Sequence, residues 1–311
     1  MWLLLLLALT IIAVILIQYI LSINKAYKRL NNYTAKAFHS DYGRMSYLDE
    51  GQGEPVLISH GIFGGYDQGY ETLKNILGDR HRKISISRFG YPGSDIPAEP
   101  TPDNQAKVFL GLLNELKIDK VYLVTTSAGG AAAIKFAINY PDRIKGLILL
   151  SSGVPSSKKT REEITGPMGP PDFILNDILM WFFTKYFGFV FKSMFKSEID
   201  GKIYNTMLPV KPRKKGIKVD ETITNLDMDI NYDGYPVEKI NGPIIVIHAK
   251  DDPMAKFEGI EKFIARTNAQ TAIFETGGHL ISGNGDAVSI NISDFIKNNI
   301  KIKTRLHIMR S

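Results

Sequence analysis

The chain has 311 residues and no cysteine, with 38 Lys and Arg against 32 Asp and Glu, a formal charge of +6. Hydrophobic residues make up 44% and charged residues 23%, the balance of an ordinary globular protein rather than a disordered or collagen-like chain. The missing thiols exclude disulfide staples, thiolate nucleophiles, cysteine-ligated zinc and iron–sulfur clusters.

Residues 2–22 read WLLLLLALTIIAVILIQYILS, without one charge. About 20 apolar residues in a helix cross a hydrocarbon core of about 30 Å. A cleaved signal wants a basic start, an apolar run of about 7–15 residues and a small-residue cleavage site. Here no basic residue precedes the run, and Ser22-Ile23-Asn24 is a poor site. The reading is a single-pass anchor at 1–22 followed by a juxtamembrane linker at 23–37. Lys25, Lys28 and Arg29 follow the run at once, so the positive-inside rule places the bulk of the chain in the cytoplasm.

Beyond the anchor, short apolar runs alternate with helical stretches. The spacing predicts an antiparallel edge strand at Arg44–Leu48. Buried parallel strands are expected at Pro55–His60, Lys83–Arg88, Val121–Thr126, Gly146–Ser151, Ile244–His248 and Thr271–Glu275, since each is short and apolar. Helices are expected at Asp103–Leu116, Ala128–Asn139, Phe257–Arg266 and Ala287–Asn298. This alternation predicts an α/β fold, a mostly parallel central sheet flanked by helices.

The alternation breaks between about Val154 and Tyr235. That stretch contains one dense apolar run, Phe173–Phe195. Asp177, Lys185 and Lys192 inside it disfavour a second membrane span, because a mid-bilayer charge costs about 2.5–3.5 kcal/mol. An inserted helical lid at 154–236 is expected, dividing a core at 38–153 from its second part at 237–300. Lys211, Arg213, Lys214, Lys215 and Lys218 form a basic run, and Lys301, Lys303, Arg305 and Arg310 a basic tail at 301–311. Such patches are solvated or lie against anionic lipid. No nucleic-acid-binding motif accompanies either one.

The chemistry is expected on four turns. At Thr125-Thr126-Ser127-Ala128-Gly129-Gly130 a strand ends, one serine follows and small residues open a helix. A nucleophile elbow needs that arrangement. Thr125 stands where the usual G-x-S-x-G pattern has glycine. His60-Gly61-Ile62-Phe63-Gly64-Gly65 also follows a strand. The N–H groups of Ile62 and Ala128 can together form an oxyanion hole. A phosphate loop is the weaker reading, because no lysine follows these glycines. The third turn is His248-Ala249-Lys250-Asp251-Asp252-Pro253, the fourth Gly277-Gly278-His279-Leu280. A serine needs a base and the base an orienting carboxylate, and the chain order is Ser127, an Asp, then His279.

On HGIFGG (60–65), SRFGYPGSD (87–95), TTSAGG (125–130), NYPDRIKGLILLS (139–151), HAKDDP (248–253) and GGHLISG (277–283), residues 38–300 resemble the α/β-hydrolase superfamily in its lid-bearing form. The resemblance implies Ser127 as nucleophile, His279 as general base, and Ile62 and Ala128 as oxyanion donors. The family's acid ends a G-x-x-D turn, which implies Asp252, with Asp251 as the fallback. Ala249 replaces the glycine of that turn. A serine at the elbow disfavours haloalkane dehalogenases and epoxide hydrolases, which use Asp there. Esterases, lipases, amidases, C–C bond hydrolases and acyltransferases share the triad.

Asp67 and Gln68 follow the oxyanion loop and either line the pocket or, for Asp67, cap the next helix. Phe63, Met168, Trp181 and Phe182 are candidate substrate contacts, Phe63 and Trp181 foremost. The expected function is a membrane-anchored serine hydrolase acting on a hydrophobic ester through an acyl-enzyme, with no cofactor and no metal. The alternatives are an acyltransferase on the same residues and an inactive, membrane-tethered binding module. The expected partners are the ester substrate and the lipid bilayer, with no nucleic acid.

Overall fold

Five of the six short apolar runs become strands with both faces covered; the sixth, foreseen as a buried strand at Thr271–Glu275, is instead the last strand of the sheet, and none of its residues is buried because only one side of it is paired. The structure, a computed structural model, describes residues 1–196 and 206–308. Its strands are β1 (Lys36–Ser40), β2 (Gly43–Glu50), β3 (Glu54–Ser59), β4 (His81–Ile86), β5 (Val121–Ser127), β6 (Ile144–Ser152), β7 (Ile244–Ala249) and β8 (Gln270–Phe274). They form one sheet in the order β1-β2-β4-β3-β5-β6-β7-β8. The pairs β1–β2 and β2–β4 are antiparallel, and every other pair is parallel.

Successive residues of β3 serve opposite faces. Leu57 joins the core formed with α3 (Pro102–Glu115), α4 (Gly130–Asn139) and α9 (Phe257–Ala265). Val56 and Ile58 join the core formed with α2 (Tyr66–Leu77) and α10 (Gly285–Ile308). All three side chains are fully buried, which stabilises by about 1.5–3 kcal/mol each. Thr101 starts α3 by accepting the Asn104 N–H at 3.2 Å, with Pro102 in the first turn.

Two boundaries differ from expectation. The strand foreseen at Arg44–Leu48 lies inside β2 and is not the edge, because β1 pairs along its outer side. Within β1 only Phe38 is buried, so the segment has no apolar alternation to read. The last helix, foreseen at 287–298, continues to Ile308, since neither Gly nor Pro interrupts it. The foreseen basic tail therefore begins within this helix; Arg310 lies outside the described residues.

The N-terminal helix α1 runs from Trp2 to Asn32. Residues 23–32, foreseen as linker, continue this helix without a break. Its two parts have different surroundings. Leu3, Leu6 and Leu21 are exposed, as are most of the large apolar side chains before Ser22. Ile23, Ala26 and Leu30, at helical spacing, are buried against the domain. Among the described residues α1 alone is long and apolar enough to cross a membrane.

Between β6 and β7 lies a helical insert. Its apolar run is not one span but two short helices, α5 (Asp177–Tyr186) and α6 (Gly188–Phe195). Asn176 caps α5 by accepting the Leu179 N–H at 2.8 Å. A second helical run follows as α7 (Lys214–Val219), a π-helical turn (Asp220–Thr224) and α8 (Asn225–Ile230). Residues 197–205 of the foreseen lid lie outside the described residues.

Two buried ion pairs join insert and core in opposite directions. Arg88 of the core grips Asp220 of the insert through both guanidinium nitrogens, at 2.5 and 2.6 Å, and Tyr91 Oη donates to the same carboxylate at 2.6 Å. Arg213 of the insert grips Asp67 of α2, at 2.9 and 2.7 Å. Arg213 is fully buried, so it is not part of the basic surface its neighbours suggested. Nor does Asp67 cap α2, whose cap position is Gly65; it sits buried in the first turn as Arg213's partner. Lys218 of the same run pairs with Asp172 and Glu221.

Removing one partner of a buried pair leaves an uncompensated charge, at about 3–5 kcal/mol. Asp220→Leu strands Arg88 and is expected to lower unfolding stability by that amount. The shift of the urea midpoint, measured on the full chain in detergent, checks this.

Candidate active site

Strand β5 delivers Ser127 to the edge of the sheet, where its φ is +48°. A non-glycine residue adopts this left-handed conformation only when its surroundings enforce it, at about 1–3 kcal/mol. The enforcement comes from close backbone approach. A Cβ on Gly129 would lie 2.4 Å from Ser59 O, and one on Gly130 would lie 2.1 Å from Gly153 O. Only glycine fits either position. Thr125 is wholly buried, and its Oγ1 lies 2.7 Å from where a Gly129 Cβ would stand. The larger residue at Thr125 is thus accommodated by the bare Gly129, though its hydroxyl has no hydrogen-bond partner among the described residues.

The turns after β7 and β8 bring Asp252 and His279 to this serine. His279 Nε2 is 3.0 Å from Ser127 Oγ. His279 Nδ1 is 2.9 Å from Asp252 Oδ2. With Nδ1–H donating to the carboxylate, Nε2 is the acceptor for the serine hydroxyl. Ser127 is partly exposed, while His279 and Asp252 are buried. Burial alone would raise the Asp252 pKa. The His279 hydrogen bond and the N–H groups of Met254 (2.8 Å) and Ala255 (3.0 Å) outweigh it and hold the carboxyl below its ordinary value.

Asp251, the alternative acid, faces elsewhere. Its Oδ1 accepts the Gly278 N–H at 2.8 Å, which ties the acid turn to the histidine turn. Two neighbours were not anticipated. His248 lies 3.6 Å from Asp252 Oδ2 and donates its Nε2 proton to Ala255 O at 2.7 Å. Burial lowers its pKa, which keeps it neutral. Phe195, the last residue of α6, stacks on the His279 ring at 6.1 Å and 18°. The insert thereby covers the histidine. Phe195 stood within the apolar run, but nothing local marks which of its aromatics reaches the site.

The loop after β3 runs beside Ser127. Buried His60 donates from Nδ1 to Gly61 O (2.7 Å) and accepts the Arg88 N–H at Nε2 (3.1 Å). Burial and the nearby Arg88 lower its pKa well below the ordinary value, in keeping with a neutral ring. Arg88 Nε donates to His60 O at 3.0 Å. A Cβ on Gly61 would lie 3.1 Å from Ser127 Cβ, which sets the closeness of loop and elbow. The N–H groups of Ile62 and Ala128 make no hydrogen bond among the described residues.

Phe63 is buried in an apolar cluster with Phe191, Phe195, Met207 and Leu208 of the insert and Ile23 and Ala26 of α1. Trp181 belongs to the same cluster, but its ring is held edge-on by Tyr19 of α1 (5.5 Å) and by Tyr186 (5.8 Å). Phe182 packs at the rim of this cluster. Met168 is fixed through its carbonyl by Asn225 Nδ2 at 2.6 Å. Gln68 turns along α2 to Thr72 (3.1 Å).

A sheet of this order, with serine, acid and histidine at the ends of β5, β7 and β8, defines an α/β-hydrolase architecture. The family model of the alpha/beta hydrolase fold matches residues 54–286, and the chain belongs to that family. It is 34% identical over 115 residues to 2-hydroxy-6-oxo-6-phenylhexa-2,4-dienoate hydrolase from Burkholderia cepacia, covering 35% of this chain and 40% of that protein. A 2-hydroxy-6-oxononadienedioate/2-hydroxy-6-oxononatrienedioate hydrolase from Pseudomonas putida is 23% identical over 76% of this chain and 85% of its own length. The chain spans only 39 to 52% of the length of the first curated relatives it matches. Among solved structures, an esterase from Exiguobacterium antarcticum superposes with a TM-score of 0.64 at 22% identity, over 85% of this chain and all of its own. A membrane phospholipase A superposes with a TM-score of 0.68 at 18% identity, over 96% of this chain and 97% of its own. At these identities the two structures show the shared fold.

The lowered Asp252 pKa has a signed consequence for stability. The unfolded carboxyl titrates near 3.8, the folded one below it. Ionised Asp252 therefore stabilises the fold above the unfolded value, and this contribution is lost as pH falls through the folded value. Asp252→Asn is expected to flatten the fall in melting temperature between about pH 5 and pH 3. Thermal unfolding of both proteins across that range checks it.

Proposed function

We propose that this protein is a serine hydrolase that cleaves a hydrophobic carboxylic ester through an acyl-enzyme. The observation that carries the reading is the continuous hydrogen-bonded chain Ser127 Oγ–His279 Nε2 and His279 Nδ1–Asp252 Oδ2. Ser127 Oγ attacks the acyl carbon while its proton passes to His279 Nε2. Asp252 holds the Nδ1 proton and stabilises the imidazolium. The carbonyl oxygen gains negative charge and accepts from the N–H groups of Ile62 and Ala128, which have no other acceptor among the described residues. His279 then protonates the leaving alkoxide. In the second half it deprotonates water, which attacks the acyl carbon and returns Ser127 with release of the acid.

The apolar cluster of Phe63, Phe191 and Phe195, which reaches the His279 ring through Phe195, favours a substrate with a hydrophobic acyl chain. The uncharged run of α1 favours a membrane anchor, and Lys25, Lys28 and Arg29 favour a cytoplasmic catalytic domain. The phospholipase neighbour adds support. Its match covers 96% of this chain, and α1, with 31 of 311 residues, is larger than the share left unmatched. A membrane-derived lipid ester fits all of these features.

A fluorophosphonate probe is expected to label the full chain at Ser127, with labelling lost in Ser127→Ala and reduced by about 10⁴-fold or more in rate in His279→Ala. Mass spectrometry of the adduct reads both. Octanoyl esters are expected to turn over faster than acetyl esters. Absence of labelling on a folded protein would sink the hydrolase reading. Equal turnover of acetyl and octanoyl esters would sink the hydrophobic acyl site, and preferential transfer of the acyl group to added alcohol would favour an acyltransferase.

A further inference from the structure

The loop beside Ser127 contains a strained turn. Gly64 N–H donates to Gly61 O at 3.2 Å, so Ile62 and Phe63 are its two central residues. Phe63 has a φ of +59°, a conformation a bulky side chain rarely adopts without external support. The Ile62 N–H, the candidate oxyanion donor, is therefore carried by a turn with one internal hydrogen bond and a strained residue at its centre. Its far end is held by Arg213, which donates to Gly64 O. Arg213 also grips Asp67 and donates from Nε to Pro209 O at 3.1 Å.

A third charged group enters from α1. Arg29 approaches Asp67 Oδ2 at 3.4 Å and donates to Leu208 O (2.5 Å) and Thr206 O (3.3 Å). Leu208 and Thr206 lie just before Arg213 in the chain. Arg29 thus contacts both the carboxylate that Arg213 grips and the backbone that carries Arg213. The two guanidinium groups share one carboxylate, so the position of each depends on the other.

We propose that Arg29 is a positioning residue for the oxyanion donor: through Asp67 and Arg213 it couples the docking of α1 to the turn that aims the Ile62 N–H. This rests on the serine-hydrolase reading for its catalytic meaning, but the coupling itself is a property of the fold. Arg29 touches no reacting atom. Its effect belongs in the transition state, where the oxyanion exists, rather than in substrate binding.

The test uses the full chain in detergent, with Arg29→Met, Arg29→Lys and, as a control, replacement of the exposed neighbour Lys28 by Met. Hydrogen–deuterium exchange is read on the peptide covering residues 60–68. Ester turnover is read per active site titrated with fluorophosphonate, which removes any loss caused by a smaller folded fraction. Arg29→Met is expected to speed exchange in that peptide and to lower kcat about 10-fold, with KM within about 2-fold. Arg29→Lys, which keeps a cation on Asp67, is expected to restore most of both. Lys28→Met is expected to match the wild type. Unchanged exchange in Arg29→Met overturns the coupling whatever the activity, and an unchanged kcat per titrated site overturns the positioning role. If the wild type neither labels nor turns over ester while Arg29→Met still loosens the loop, the hydrolase reading fails and the coupling stands.

Discussion

Two carboxylates buried across one boundary constrain everything near the active site. Asp67 belongs to the core and Asp220 to the insert, and neither side chain reaches water. A buried carboxylate is tolerable only when paired and fully hydrogen-bonded. Each is met by an arginine from the opposite side, Arg213 and Arg88 respectively. Core and insert therefore cannot part locally without stranding a charge on each side. Both arginines also donate to the loop between them, Arg88 to His60 O and Arg213 to Gly64 O. The same groups that fasten the insert fix the two ends of the segment carrying Ile62.

The elbow obeys a second, steric constraint. Ser127 is lifted into a left-handed conformation, so strand, helix and the neighbouring loop must converge on it. Glycine at 61, 129 and 130 is what permits that convergence, since a Cβ at any of them would press on the backbone or on Ser127 itself. The histidine and acid turns are joined by a different device, the Asp251 carboxylate on the Gly278 N–H. Adjacent aspartates thus divide the work. Asp252 orients His279, and Asp251 holds the turn on which His279 sits. Phe195 on the ring face removes water from one side of the imidazole, which strengthens the polar contacts on its edges.

What could be read from the sequence follows from range. Five of the six apolar runs were legible because burial on both faces leaves a local signal; β8 was legible as a strand but not as the half-exposed edge it forms. Ser127, His279 and Asp252 were legible because each sits in a distinctive turn at a strand end. Strand β1 was not legible, since it buries one side chain, Phe38, and borrows its order from β2. Arg213 looked like one more member of a basic surface. Its burial depends on Asp67, which is 146 residues away, and no local pattern records such a pairing. The same holds for Tyr27 Oη on Asp177 and for Gln18 on Tyr186. The Tyr27 contact helps make residues 23–32 a docked helix where composition suggested a linker, and the Gln18 contact extends the docking into the end of the apolar run.

That docking has geometric consequences for the proposed anchoring. A helix rises about 1.5 Å per residue, so the first 20 residues of α1 account for about 30 Å. The remainder is rigidly bound to the domain through Ile23, Ala26 and Leu30 and through Arg29. A flexible linker would let the catalytic domain tumble beneath a bilayer; a continuous helix fixes both its distance and its tilt. Ile178, Phe187, Phe189 and Val190 of the insert are exposed, and α5 packs on α1 through Tyr19 and Trp181. The apolar surface next to α1 is thus part of the insert that covers His279. That exposed surface and Phe195, which stacks on His279, therefore belong to one insert, so the element that faces α1 is also the element that covers the histidine.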